Sequence, residues 1–392
     1  MLDATLPLAS TRVLDLSRIL AGPFAAQALA DLGADVLKVE RPGVGDETRR
    51  WGPPFHGTDA AYFFALNRNR RSIELDIATP EGTAAVRTLA RRADIVIENF
   101  LPHQYAALGL DHIRSECTHA VWVSIRGASS LGPLGTQPGF DAMVQARSGI
   151  MSITGPDDNH PTKVGVPIID IITGLYAAQA ALAALIGHRE DPFRPAAHVE
   201  VPLLECGLST LTNQAANYLI GGSTPKAAGN EHPNIAPYGP FATADRPLMI
   251  GAGNDAQFRS LCVALGCPEL ATLPDFSGNA QRVANRIRLQ AELEHRMMTH
   301  SAEHWTQVLS RESVPSAPIN TVDEALADPH VTATGLLQAV ETDSGPLTLI
   351  GCPITIDGVR PRIRRAPPAL GEHNDLLLGP TTDTTLSTQG TR

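Results

Sequence analysis

The sequence predicts an α/β protein with a mostly parallel sheet. Three observations carry this. Short apolar runs alternate with helix-forming stretches through the first 200 residues. That alternation implies parallel strands covered by helices. The chain has 392 residues, enough for two domains with substantial cores. Hydrophobic residues make up 43% and charged residues 18%, a globular composition. The predicted architecture is a large Rossmann-like domain over 1–225, a smaller α+β domain over 226–325, and a return to the large domain over 326–392.

The elements follow in order. Thr11 to Ser17 reads as the first strand. Pro23 to Leu32 reads as a helix, with proline early, where its missing N–H is harmless. Ala34 to Glu40 is the second strand and Arg71 to Ile77 the third, followed by a helix from Pro80 to about Arg92. Ala93–Glu98 and Ala120–Ile125 continue the pattern. His198 to Val201 reads as a strand feeding one long helix that ends near Gly221-Gly222. The Gly-, Pro- and Asn-rich stretch from Gly222 to Pro240 marks a domain boundary. Beyond it come a strand, Leu248 to Gly251, and a helix, Arg282 to Thr299. After residue 330 a strand pair is predicted, Leu347–Gly351 with Ile354–Gly358, and the Thr- and Ser-rich tail after Gly379 reads as mobile.

Net charge is −10. That argues against a general nucleic-acid binder. Met1 to Thr5 carries an acid and no long apolar core, so it does not read as a secretory signal. The longest apolar helix, near 175–186, reads as too short and too alanine-rich to span a membrane. Five scattered cysteines with no C-x-x-C pair indicate neither a disulfide framework nor a zinc knuckle, and a reducing cytoplasm is expected. No histidine–carboxylate spacing matches a metal site, and His198, His232 and His373 read as structural or loop residues. No G-x-G-x-x-G follows the first strand, which argues against a dinucleotide dehydrogenase.

One stretch carries more chemistry than the rest. In Gly165-Val166-Pro167-Ile168-Ile169-Asp170-Ile171-Ile172-Thr173-Gly174 a single carboxylate sits among isoleucines. Burying it is costly unless its charge is compensated. The run enters an alanine-rich helix, placing Asp170 near a helix N-terminus that favours the ionised form by roughly 0.3–1 kcal/mol. A desolvated, ionised carboxylate can serve as a nucleophile. Taken alone, the stretch also suits a simple helix cap.

Ordered fragments over nearly the whole chain resemble the class III CoA-transferases and the related α-methylacyl-CoA racemases. They include Ser17-Arg18-Ile19-Leu20-Ala21-Gly22-Pro23-Phe24, Asp31–Glu40, Gly45-Asp46-Glu47-Thr48-Arg49, Leu66–Ile73, Glu98-Asn99-Phe100 and Pro138–Ala146. The Asp170 stretch, Gly229–Tyr238, Gly253–Phe258, Val314–Asn320 and Ala369–Asn374 complete the set. The resemblance implies transfer of CoA from an acyl-CoA to a carboxylic acid. Asp170 would be the nucleophile, passing through an aspartyl–acyl anhydride and an aspartyl-CoA thioester. It implies no tightly bound cofactor, with CoA thioesters as substrates, and an interlocked homodimer with no nucleic-acid or membrane partner. Ile19, Ala21, Lys38, Arg41, Arg70, Leu75, Asn99 and Phe100 match CoA-binding positions, and Ala107 stands where many members carry arginine, for which Arg68 or Arg71 would substitute. Gln145 and the Gly251–Asn254 turn are candidate oxyanion donors. Phe140 occupies the racemases' histidine position and cannot carry a proton, which favours transfer. Arg18 is a candidate for a distal carboxylate, the alternative being a salt bridge to Asp15 or Asp141. Gly253 and Asn254 complete the substrate candidates; their pattern, with Arg18-Ile19-Leu20, looks like members using succinyl-CoA and dicarboxylates.

Overall fold

A computed structural model describes residues 6–377. The tail after Gly379 and the Met1–Thr5 segment lie outside them. The chain forms two compact units. The first contains residues 6–150, 164–213 and 332–377; the second contains 151–163 and 214–331. The second unit is therefore wider than the expected 226–325. Residues 151–163 join it through long-range pairing: Gly229 N donates to Gly155 O at 3.0 Å, and Lys226 Nζ meets Asp158 at 2.9 Å. No local pattern announces such a contact.

The first unit is built on six parallel strands: β1 (Arg12–Asp15), β2 (Asp35–Glu40), β3 (Arg70–Glu74), β4 (Ile95–Glu98), β5 (Val121–Arg126) and β6 (His198–Pro202). Their spatial order is β3-β2-β1-β4-β5-β6. Successive side chains leave opposite faces of a strand. Val13, Val36, Ile97 and Val123 enter one core, with helices α1 (Ala21–Asp31) and α7 (Ile168–Glu190). Leu14, Val96 and Trp122 enter the other, with α3 (Pro80–Ala90) and α5 (Leu110–Glu116). The short helices α2 (Ala61–Leu66), α4 (Pro102–Ala107) and α6 (Asp141–Arg147) complete the crossovers. The strand order reverses between β1 and β4. In such sheets ligands bind in the crevice beyond the carboxyl ends of the strands at that switch point.

Helix α7 spans 23 residues, longer than the expected 175–186, and is apolar enough by length and composition to cross a membrane. Here Ile169, Ala177, Ala181 and Leu185 pack it into the first core. Close approach to α1 depends on Gly174. A Cβ there would lie 2.7 Å from Ala21 O and 3.1 Å from Phe24 Cβ. The expected helix from 202 to 221 is two helices, α8 (Leu203–Ser209) and α9 (Thr212–Gly221), broken where Thr212 takes φ 40°. A β-branched residue in that region cannot continue a right-handed helix.

In the second unit β7 (Tyr238–Phe241), β8 (Leu248–Gly251) and β9 (Ser316–Pro318) form an antiparallel sheet with β8 in the centre. Helices α10 (Asp255–Ala264), α11 (Asn279–Ala284), α12 (Arg286–Met297) and α13 (Ala302–Arg311) pack around Phe258, Phe276, Leu293 and Leu309. The predicted helix from 282 to 299 is interrupted at Asn285. Back in the first unit, β10 (Leu337–Thr342) pairs with β11 (Gly345–Ile350). This corrects the expected partner Ile354–Gly358, which contributes only an isolated bridge to Val359. The turn at Asp343-Ser344 before Gly345, with φ 108°, closes the tighter hairpin.

Candidate active site

Two clefts open at the β1/β4 switch point and share Arg18, Phe100 and Gln104. The first, about 310 Å³, is lined by Leu16, Arg41, Leu75, Ile77, Ala107 and Leu108 among others. The second, about 210 Å³, is lined by Ile19, Ala21, Asn99, Arg126, Phe140 and Asp170 among others. The turn between β1 and α1 forms their common lip. Ile19 is held at φ 71°, a costly conformation for a β-branched residue. Its N–H donates to the Asp46 carboxylate at 3.2 Å. Asn99 clamps the residue before it, accepting from Arg18 N at 3.0 Å and donating to Arg18 O at 2.8 Å. Leu20 provides no side-chain cap to α1, and Pro23 lacks an N–H. The amides of Ala21 and Gly22 therefore stand at an uncapped helix start, a favourable place for negative charge.

Asp170 is half-buried in the first turn of α7. Its surroundings come from α6. Asp141 Oδ1 accepts from Ile169 N at 2.8 Å and from Asp170 N at 3.3 Å, and its Oδ2 accepts from Gln145 Nε2 at 2.6 Å. Asp141 is thus the cap of α7, and Asp170 is left without a capping role. Burial, then the charge of Asp141, pushes the Asp170 carboxyl up to about 7. Such a carboxylate is still ionised above neutrality and more basic than an ordinary one. Tyr62 lies in the same field. Burial, then the charges of Asp170, Asp141 and Asp46, pushes its phenol up to about 12, so it keeps its proton.

Several expected site residues line the clefts: Arg18, Arg41, Leu75 and Phe100 at the first, and Ile19, Ala21, Asn99 and Phe140 at the second. Others serve differently. Arg70 is 1% exposed, and its Nη1 donates to Asp15 and Asn67, both at 2.9 Å. It lines neither cleft and is bound into the core. Lys38 does line the first cleft, but its side chain is fully buried, with Nζ donating to Ser17 O at 2.8 Å and meeting Asp46 at 3.0 Å. Burial alone lowers its pKa, but the charges of Asp46, Asp15 and Glu40 outweigh that and raise it. Arg68 pairs with Asp31 and Arg71 with Asp35, so neither replaces an arginine at Ala107. Arg18 pairs with Glu47 at 2.8 Å rather than with Asp15 or Asp141.

Gln145 is fully buried. Besides donating to Asp141, it accepts from Val164 N at 2.8 Å. It braces α6 against the segment before α7 and does not line either cleft. Gly253 and Asn254 lie in the second unit. There Gly253 N donates to Gln257 Oε1, and Asn254 caps α10 by accepting from Gln257 N, both at 2.9 Å. The three histidines are engaged locally: His198 with Ser124 Oγ, His373 accepting from Ser72 N, and His232 from Asn234 N. Among the described residues no group of three or more metal-ligating side chains is gathered.

Two residues escaped the sequence reading. Asp141 entered the sequence reading only as an alternative salt-bridge partner for Arg18. Its capping role depends on α6 meeting α7 across 28 residues of chain. Arg126 lines the second cleft and forms a fork with Glu98, Nη2 to Oε1 at 2.7 Å and Nη1 to Oε2 at 3.0 Å. It ends a strand, and position at a strand's carboxyl end was the one signal that could have flagged it.

Known proteins resemble this chain over most of its length. The model of CoA-transferase family III matches residues 8–374. The succinate–glutarate CoA-transferase of Agrobacterium fabrum is 42% identical over 381 residues, covering 95% of both chains. The human succinyl-CoA:glutarate CoA-transferase is 38% identical, covering 95% of this chain and 85% of its own. A solved CaiB/BaiF family protein from Brucella suis is 40% identical with a TM-score of 0.83, covering 95% of this chain and 98% of its own. The switch-point clefts, the carboxylate beside them and these relatives lead to one assignment: the chain belongs to CoA-transferase family III and is a CoA-transferase.

Proposed function

We propose that this enzyme moves CoA from succinyl-CoA to a dicarboxylic acid of about glutarate's size, with Asp170 as the nucleophile. The observation that carries the reading is a half-buried carboxylate, raised to about 7, facing a cleft at the β1/β4 switch point. The relatives named for succinyl-CoA and glutarate support the substrate class.

CoA occupies the first cleft, its ring system against Leu75 and Phe100 and its phosphates toward Arg41 and Arg18. The thioester enters the second. Asp170 Oδ attacks the thioester carbonyl carbon; the C–S bond breaks and CoA leaves as thiolate. The product is a mixed anhydride of Asp170 and the donor acid. The thiolate attacks the aspartyl carbonyl and expels the donor carboxylate, leaving an aspartyl-CoA thioester. An oxygen of the incoming carboxylate attacks that thioester, and the thiolate leaves again. It then attacks the acceptor carbonyl, forming the new CoA ester and returning Asp170 as carboxylate. No proton is gained or lost. Each tetrahedral oxyanion needs preorganised donors; the uncapped amides of Ala21 and Gly22 supply them in this reading. Asp141 holds the nucleophile's helix by its N–H groups. Because both its oxygens are so engaged, it makes a poor second base for α-proton exchange, and Phe140 offers none. Transfer is thereby preferred to racemisation.

The same reading carries a homodimer and a cytoplasmic location, the latter in keeping with five buried free thiols. The test is direct. Wild type is incubated with succinyl-CoA, trapped with hydroxylamine and mapped by mass spectrometry. Modification at Asp170 is expected, and Asp170→Ala should lose at least about 10⁴-fold in turnover while still binding CoA. Undiminished turnover in that variant sinks the reading.

A further inference from the structure

The two arginines that line the first cleft, half-buried Arg18 and exposed Arg41, are already occupied. Glu47 Oε1 accepts from Arg18 Nη1 at 2.8 Å and from Arg41 Nη2 at 3.1 Å. Its other oxygen, Oε2, is buried without a hydrogen-bond partner, as is Arg18 Nε. A carboxylate with one oxygen doubly engaged and the other orphaned is poorly satisfied. Glu47 is held near the arginines by its neighbours. It opens a 3₁₀ turn, Glu47–Arg50, capped by Asp46, which is itself tied to buried Lys38. Arg18 and Arg41 both line the first cleft, whereas Glu47 does not. Lys38, Glu40, Asp46 and Asp76 also line that cleft, with Lys38 buried against Asp46; an anion entering near Arg18 and Arg41 meets two cations whose charge Glu47 has partly cancelled.

We propose that Glu47 is a built-in competitor for the anion site at the junction of the clefts. It holds Arg18 and Arg41 in place in the empty enzyme, and an incoming anionic group displaces it. The inference rests on the reading that the first cleft receives CoA. An anion touching both arginines must lie in that cleft, so the displacing group is a CoA phosphate. The other source of the same chemistry, the distal carboxylate of a dicarboxylic acid, would reach Arg18 alone from the second cleft. Glu47 thereby tempers CoA affinity and favours release of the exchanged ester, because its return restores the empty arrangement. Such pairs are partly exposed, so the effect is moderate.

The test is Glu47→Gln, nearly isosteric and still able to accept from both arginines. CoA and pantetheine are titrated calorimetrically into full-length wild type and variant at two salt concentrations. KM is measured for succinyl-CoA, glutarate and a monocarboxylic acid. The expected result is CoA binding tightened about three- to tenfold, with a steeper salt dependence and no change for pantetheine. KM for the CoA ester falls, and the acids are unaffected. Equal or weaker CoA binding overturns the proposal, as does an equal gain for pantetheine. A lower KM confined to glutarate also overturns it and assigns the displacement to the acid. Should wild type itself fail to bind CoA, the functional reading falls, a result distinct from all of these.

Discussion

In the proposed mechanism Asp170 and Asp141 take separate tasks, nucleophile and helix cap. Asp141 caps, at 2.8 Å from Ile169 N, and so frees Asp170 from capping. Its negative charge, added to burial, makes loss of the Asp170 proton harder. In the proposed mechanism only the ionised form attacks. Below its folded pKa of about 7, kcat/KM for the CoA ester should fall about tenfold per pH unit. Asp141→Asn keeps an acceptor for the two amides but removes the like charge. The Asp170 pKa should then drop and the acidic limb move to lower pH. A pH–rate profile of the two proteins checks this; an unmoved limb would mean that burial alone sets the value. Tyr62 keeps its proton through this range and leaves the limb to Asp170.

Elements position these residues through close backbone contact. α7 lies against α1 because Gly174 has no Cβ to meet Ala21 O. Gly174→Ala is expected to cost about 1–3 kcal/mol from overpacking and to lower kcat, since α7 carries Asp170 and α1 carries the lip at Ala21. Gly187, on the same helix, has open space around it. Gly187→Ala should instead stabilise by about 0.5–1 kcal/mol through helix propensity, with kcat unchanged. Urea unfolding and steady-state kinetics on both variants separate packing from propensity. The strands were legible because parallel strands buried on both faces read as continuous apolar runs. The breaks at Thr212 and Asn285 were not, because single-residue conformations there follow from tertiary packing.

At the scale of the whole molecule, the large parallel sheet explains the location of the two clefts. Reversal of strand order leaves one crevice, and the motifs Arg18-Ile19-Leu20-Ala21 and Asn99-Phe100 end the two strands that border it. The first unit alone carries both clefts and Asp170. Helix α7 leaves Leu175, Tyr176 and Ile186 exposed, and α9 leaves Leu219 and Ile220 exposed. These surfaces are in keeping with the proposed homodimer. Light scattering on the purified full chain should give twice the chain mass of 41.6 kDa, and a monomeric mass would refute that part of the reading.

The sequence by itself determined the parallel α/β sheet and the ordered family fragments, and it marked Asp170 as the candidate nucleophile. Each is written in local periodicity or in short contiguous motifs. Only the tertiary structure decided which charges reach the cleft. Arg41 and Arg70 look alike in the chain. Yet Arg70 is 1% exposed on Asp15, whereas Arg41 reaches the cleft. Likewise Gln145, Lys38 and Asp141 took their roles from partners elsewhere in the chain. A side chain's chemistry depends on its desolvation and its ion-pair partners, and contacts across tens of residues fix both.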